Sequence, residues 1–450
     1  MRVAGLLALL WVVGCGSEPP GNVLLVTVDT LRADHVGTYG YERSTTPNVD
    51  RFFREGRVYA RTYATSSFTP PSVVTILSGH LPKDHGVRRF LDLFDRRVPL
   101  VCDLLGESFE TAAFVSNAVL SRESLGIADC FDHYDDYVDE REGPVRKVYE
   151  RNAARTTDAA LAWLDGRAGT TRRLLVWVHY IDPHGPYEAP GDADVDFRHE
   201  GTQAFDRRRM PLYADLGTDD ALEVIDRYDE EIAYTDREIG RLLEGWQARS
   251  GGGRDLVIFT ADHGESLVER KKKVFDHGFH VWEEQLRVPL LLRAPGVEAG
   301  TTDAPASLVD VLPTILGFAG VPAPPGLPGV DLLAGEPPAE RMLYAEAPEW
   351  AAVVRGSRKW VARYPKGRRP ARTLERYDLA RDPGETDPKP WDRRDPATRW
   401  MRELERSDPR RRGEGAEARA PGGRMIRQPK VAPGATEEQL EQLRGLGYVE

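Results

Sequence analysis

The sequence predicts an α/β fold built on a doubly wound, mostly parallel sheet, with a smaller α+β subdomain at the C-terminal end. Three observations predict it. Short apolar, β-branched runs recur at residues 23–28, 112–115, 174–178, 256–259 and 288–292, the continuous pattern of strands buried on both faces of a parallel sheet. Helical patterns lie between them, the alternation expected of a doubly wound sheet. Polar residues gather just past the ends of the same runs: Asp29 after the first, Asn117 after the second, residues 179–184 after the third, Asp262 and His263 after the fourth. Open α/β sheets form their sites at that edge.

The chain has 450 residues, enough for one large domain and a companion, because single cores stop growing at roughly 250–300 residues. Four segments are expected: a signal peptide at 1–14, a tether at 15–21, a catalytic domain at 22–335 and a C-terminal subdomain at 336–450. After Met1 and Arg2, the apolar run over 3–13 is too short to span a bilayer and has the length of a signal-peptide core. It ends Val12-Val13-Gly14-Cys15, which resembles a bacterial lipobox, with Ser17 to Gly21 as a flexible tether. The expected location is the cell envelope, at the periplasmic face or outer surface, with a lipid on Cys15 as the membrane contact. A plain signal peptide with an incidental cysteine is the alternative.

The clearest helix is spelled by Ile225, Tyr228, Ile232, Thr235, Ile239, Leu242 and Trp246, spaced by three and four with charged residues on the other face. Residues 321–329 are rich in Pro and Gly and read as a boundary or a surface crossover. Residues 341–377 read as short strands with turns, 381–433 as largely irregular, and 436–448 as a short capped helix. The net charge of −11 argues against a nucleic-acid partner, which would need basic clusters to neutralise phosphates. The one dense basic run, 270–273, reads as a solvated loop. Cys102 and Cys130 either pair in an oxidising compartment or serve as small buried hydrophobes.

Three segments carry candidate chemistry. Asp29 ends the first strand, where it caps a helix or binds a cation. Asp262 and His263 end the fourth, offering an oxygen and a nitrogen to one dication or forming a structural pair, with Gly264 allowing a sharp exit. Between them, residues 65–79 read as a turn into a helix that has Pro71 near its start and Gly79 at its close. Thr69 then sits at or just before the helix N-terminus, as an ordinary cap or where the dipole favours an anion. Pro70 and Pro71 donate nothing, so the available N–H donors begin at Ser72.

Taken together, VTVDTLRADHVGTYGY, TPPSVVTILSG followed by HLPKDHGV, HYIDPHGPY, FTADHGE, HGFHVWEEQLRVPLLLRAPG, SLVDVLPTIL, RYDLARDPGETDP and LRGLGYV resemble the sulfatases of the alkaline phosphatase superfamily, in order and over nearly the whole chain from about Asn22. The resemblance implies an alkaline phosphatase-like fold with Asp29, Asp262 and His263 holding a metal. It places Thr69 at the nucleophile position, which also touches the metal. It puts His184 and His277 at substrate oxygens or the leaving group, Asn117 and Ser72 near the substrate, and His179 in a supporting or core role.

Departures from the family pattern matter equally. Thr69 stands where sulfatases carry the Cys or Ser that becomes formylglycine, and its β-methyl prevents that oxidation, so no formylglycine is expected. Val73 replaces the supporting arginine, and Thr30 replaces a second metal-binding Asp. The expected cofactor is one divalent ion, Mn, Zn, Mg or Ca, with the imidazole tilting the set away from an oxygen-only calcium cage. The resulting expectation is a metal-dependent hydrolase of sulfuric or phosphoric esters acting on a small-molecule, lipid or glycan substrate, with specificity from a loop over 188–216. A phospho-group transferase or phosphodiesterase on envelope substrates and a non-catalytic sulfatase-like binding protein are the alternatives.

Overall fold

Val23–Val28 (β1) is buried at every position, which places it in the middle of a sheet covered on both faces. The computed structural model describes residues 21–399 apart from 90–91, 139, 142–148, 168, 186, 188, 191–196, 198–217, 250–252, 271–276, 364–372, 391–393 and 396–397, and two short strands at 417–419 and 425–427. The expected signal peptide, Cys15, the loop over 188–216, residues 271–273 of the basic run and the helix over 436–448 lie wholly or almost wholly outside the described residues.

A nine-stranded sheet forms the larger layer. Its remaining strands are Arg57–Tyr63 (β2), Phe109–Val115 (β3), His133–Asp135 (β4), Arg173–Tyr180 (β5), Leu256–Ala261 (β6), Arg287–Val288 (β7), Leu290–Arg293 (β8) and Gly300–Ser307 (β9). The order is β9-β2-β8-β6-β1-β5-β3-β4, with β7 paired to β2. The pairs β1 with β5, β1 with β6, β3 with β5, β3 with β4 and β9 with β2 are parallel. The apolar run at 288–292 departs from the expected parallel strand. It is divided by Pro289, which has no N–H for a ladder, and its two halves pair antiparallel, β8 with β6 and β2 and β7 with β2.

Helices of seven residues or more are Pro47–Phe53 (α1), Thr69–Ser78 (α2), Ala153–Asp165 (α3), Thr218–Arg249 (α4) and Val311–Ala319 (α5). On α4, Tyr228, Ile232, Ile239, Leu242 and Trp246 are buried, as their spacing predicts. Its charged face is not simply solvated. Asp226 and Asp229 are fully buried against Arg43, and Asp229 also meets His35 at 2.6 Å. Asp236 accepts from the N–H groups of Asn48 and Val49 at 2.8 Å each, so α4 caps the start of α1. Among the described residues, no helix is long and apolar enough to cross a membrane. Cys102 and Cys130 form a disulfide with Cα atoms 5.6 Å apart.

The C-terminal layer is an antiparallel five-stranded meander of Leu343–Ala347 (β10), Trp350–Arg355 (β11), Arg358–Arg363 (β12), Thr373–Asp378 (β13) and Lys389–Pro390 (β14). It is joined to the large sheet by buried charge. Arg88 meets Glu346 through Nη2 at 2.6 Å, and the Glu346 N–H donates to the Thr65 carbonyl at 2.9 Å. Lys359, fully buried, lies 3.0 Å from Glu283 and 2.9 Å from Glu385. Removing one partner of such a pair strands the other charge away from water. Arg88→Met is therefore expected to cost about 3 kcal/mol or more, read as a lower urea midpoint; a loss under about 1 kcal/mol, the range of surface ion pairs, would show that Glu346 does not depend on this guanidinium.

Candidate active site

Four neighbouring strands deliver the site in register. Val28 is level with Tyr180 of β5 and Ala261 of β6, so Asp29 leaves β1 beside Ile181 and Asp262. Val115 of β3 is level with His179, which sets Asn117 at the same edge. Asp29, Asp262, His263 and His179 are all fully buried.

Asp29 is the hub. Asn117 donates from Nδ2 to its Oδ2 at 2.6 Å, while the Asn117 Oδ1 accepts from the Val119 N–H at 3.1 Å, which fixes the amide orientation. The Thr69 hydroxyl lies 3.4 Å from each Asp29 oxygen and 3.2 Å from His263 Nε2. His263 Nε2 is 3.5 Å from Asp29 Oδ1 and 3.5 Å from Asp262 Oδ2, and its Nδ1 faces the Gly264 carbonyl at 2.9 Å. Gly264 is required here, because a Cβ would sit 2.2 Å from the Glu284 carbonyl oxygen.

Thr69 is the first residue of α2, with Phe68 as the N-cap and Gly79 closing the helix in the left-handed conformation. Its hydroxyl therefore stands at the positive end of the helix, between a carboxylate and an imidazole. Ser72, expected near the substrate, is directed elsewhere. It is fully buried, with its N–H donated to Phe68 at 3.2 Å and its hydroxyl to the Ser66 carbonyl at 2.9 Å. Thr30 has φ of 55°, a left-handed conformation that strains a β-branched residue by roughly 1–3 kcal/mol. It is held by its hydroxyl on the Pro183 carbonyl and by the Tyr228 hydroxyl on its own carbonyl, both at 2.8 Å.

His277 and His184 border the cluster. The His277 ring lies 4.7 Å from that of His263 and 5.1 Å from that of His184. His277 Nδ1 faces the buried Glu265 carboxylate at 3.2 Å, and His184 Nδ1 faces the Gly185 carbonyl at 2.9 Å. Glu265 had no assigned role in the sequence reading, although it closes the same FTADHGE run. His179, read there as supporting or core, lies inside the cluster, with Nε2 3.6 Å from Asp29 Oδ2.

Burial opposes the charge on Asp29, yet the His179 imidazole 3.6 Å away and the nearby His184 and His263 rings hold its carboxyl below the usual range. Asp262 is pushed well up by burial and then by the Asp29 charge. His263 is pushed down to about 3 by burial and then by His277, so its imidazole is neutral. Two carboxylates facing each other in a dry crevice beside neutral imidazole are donors suited to a dication. Two buried atoms fit one directly: Asp262 Oδ2 and His179 Nε2 make no hydrogen bond among the described residues. Asp29, His179 and Asp262 can each present a ligand atom within 4.8 Å of the others.

A doubly wound α/β sheet with its crevice at the carboxyl edge places these buried carboxylates and imidazoles where open α/β sheets form their sites. The Sulfatase family model matches residues 21–321, and the chain belongs to the sulfatase family. An ulvan-active sulfatase of Formosa agariphila is 23% identical over 333 residues, covering 69% of this chain and 64% of its own length, so the chain spans just under two thirds of that relative. A Delta 4,5-hexuronate-2-O-sulfatase of Bacteroides thetaiotaomicron is 23% identical over 425 residues, 84% of this chain and 86% of that one. The phosphonate monoester hydrolase of Agrobacterium radiobacter shares the fold, with TM-score 0.64, 17% identity, and coverage of 91% of this chain and 100% of that one.

The His277 loop and the start of α2 touch through one glycine. Gly278 has φ of 82°, and a Cβ there would lie 2.0 Å from the Phe68 ring. Gly278→Ala is expected to cost roughly 1–3 kcal/mol, because the left-handed strain and the overlap add. Chemical denaturation measures it, and an unchanged midpoint would show that Phe68 moves aside freely.

Proposed function

We propose that the chain is a metal-dependent hydrolase of phosphoric or sulfuric esters in which Thr69 is the nucleophile. One observation carries this reading: the Thr69 hydroxyl stands at a helix N-terminus within 3.4 Å of Asp29 and 3.2 Å of His263, in a buried crevice. Asp29, Asp262, His263 and Thr69 are the residues that would hold the ion. A dication bound there supplies Lewis-acid stabilisation of the ester's non-bridging oxygens and favours the threonine alkoxide.

The remaining roles belong to the chain. Asn117 pins Asp29 so that its carboxylate faces Thr69. The Thr69 hydroxyl gives up its proton to solvent, its oxygen bonds to phosphorus or sulfur as the bond to the leaving oxygen breaks, and the α2 N-terminus favours the charge that develops. Glu265 holds His277 by Nδ1, leaving Nε2 as the nitrogen that passes a proton to the leaving oxygen. His184, with its ring beside His277, borders the substrate. Water then cleaves the ester on Thr69, regenerating the hydroxyl and releasing phosphate or sulfate.

Threonine cannot follow the formylglycine route, in which the hydrate expels sulfate from its own carbon. Phosphoryl transfer is the easier chemistry for this residue set. The substrate is an ester of a small molecule, lipid or glycan, and the names of the sulfatase relatives above favour a glycan. The enzyme is placed in the envelope, tethered through Cys15. The apolar run at 3–13 and the Cys102–Cys130 disulfide, at home in an oxidising compartment, support that location.

Purified, metal-analysed protein is to be assayed on matched aryl sulfate, aryl phosphate and aryl phosphodiester. Turnover is expected on at least one phosphoric ester. Thr69→Ala should lower kcat by at least about 10³-fold, and Thr69→Ser should retain more of it. Turnover surviving in Thr69→Ala would remove the nucleophile assignment, and metal binding without turnover on any ester would make the chain a binding protein.

A further inference from the structure

His179 stands on β5 directly across from Thr27 of β1. Its Nδ1 lies 2.8 Å from Thr27 Oγ1, and the same oxygen accepts the indole N–H of Trp177 at 2.9 Å. The ring is thus clamped on its far side, and Nε2 points at the acidic cluster. That nitrogen is fully buried and makes no hydrogen bond among the described residues. A polar atom buried in this state is destabilising, so its position calls for a partner. Thr30, next to Asp29, does not supply a donor in its place, because its hydroxyl is spent on the Pro183 carbonyl.

Three separations have the size expected around a shared ion, with His263 and His179 facing different oxygens of Asp29. Donors arranged tetrahedrally at about 2.0–2.2 Å from one ion lie roughly 3.3–3.6 Å apart. His263 Nε2 is 3.5 Å from Asp29 Oδ1 and from Asp262 Oδ2, and His179 Nε2 is 3.6 Å from Asp29 Oδ2. Resting on the metal-hydrolase reading above, we propose that His179 is itself a ligand through Nε2, so that two carboxylates and two imidazoles join Thr69 around the ion. Thr27 is then the residue that makes this possible. By accepting the Nδ1 proton, it fixes the tautomer that turns the Nε2 lone pair into the crevice, the usual arrangement for a ligating histidine. Such a set favours Mn²⁺ or Zn²⁺ over Ca²⁺, which prefers six to eight oxygens.

The full chain loaded with Mn²⁺ tests this by pulsed EPR, which counts coupled imidazole nitrogens without reference to turnover. Two imidazoles are expected in the unaltered protein and one in His179→Leu, with Mn²⁺ bound at least about tenfold more weakly. His179→Gln serves in the same way if the leucine variant does not fold, and circular dichroism checks both. A single imidazole in the unaltered protein, unchanged by substitution at His179, would overturn the proposal and leave the hydrolase reading standing. Failure of the unaltered chain to bind Mn²⁺ or Zn²⁺ at all would overturn both.

Discussion

The in-register parallel pairing of β1 with β5 and β6 is the constraint on which the crevice depends. Because Val28 is level with both Tyr180 and Ala261, three chain segments far apart in sequence end at one height. Asp29, His179 and Asp262 then meet without any long loop to bring them together. A slip of one residue in either ladder would turn the alternate side chains to the crevice. The continuous apolar face of β1, buried on both sides, resists that slip, so the same burial that stabilises the sheet also fixes the spacing of the donors.

The position of Thr69 is set differently, from the C-terminal layer. The segment leading to Thr69 pairs with β10 by a bridge between Ser66 and Glu346, and Glu346 is itself neutralised by Arg88 and bonded by the Tyr344 hydroxyl. Lys359 and Glu385 lock β12 to the segment beginning at Glu283, just beyond the His277 loop. Burial and then the nearby Glu283 push the Glu385 carboxyl up, and Lys359 draws it down, leaving it at about 7. The small sheet therefore braces two contributions to the crevice, the start of α2 and the segment after His277, while the large sheet supplies the third.

The sequence shows the central strands clearly because β1, β5 and β6 are covered on both faces and read as unbroken apolar runs. It shows β2 and β9 poorly. Arg57–Tyr63 mixes buried and half-exposed positions, and Gly300–Ser307 carries little apolar signal until it dips into the core. The reversed direction of β8 was invisible, because hydropathy has a period but no arrow. At the site, Asp29, Thr69, Asp262, His263, Asn117, His184 and His277 could be named from strand ends and motif order, and the structure brings these seven to one edge. For Ser72 the sequence could not show that its N–H and hydroxyl are taken by the Phe68 and Ser66 carbonyls. Glu265 and His179 were underrated for the same physical reason. Their parts depend on cross-strand and loop-to-loop distances, which no local pattern records.

The sulfatase fold and the threonine pull the chemistry in different directions, and the geometry shows how both can stand. A formylglycine works by adding a second oxygen to one carbon, so the group needs room and its own leaving path. A threonine needs neither, only a neighbour that accepts its proton or stabilises its alkoxide. At 3.2 Å from the neutral imidazole of His263 and at the positive end of α2, Thr69 has such surroundings in the same place. The residue is almost wholly buried there. Family membership thus describes the scaffold and the acidic edge. The hydroxyl at position 69 is where this chain departs from the formylglycine pattern of that family.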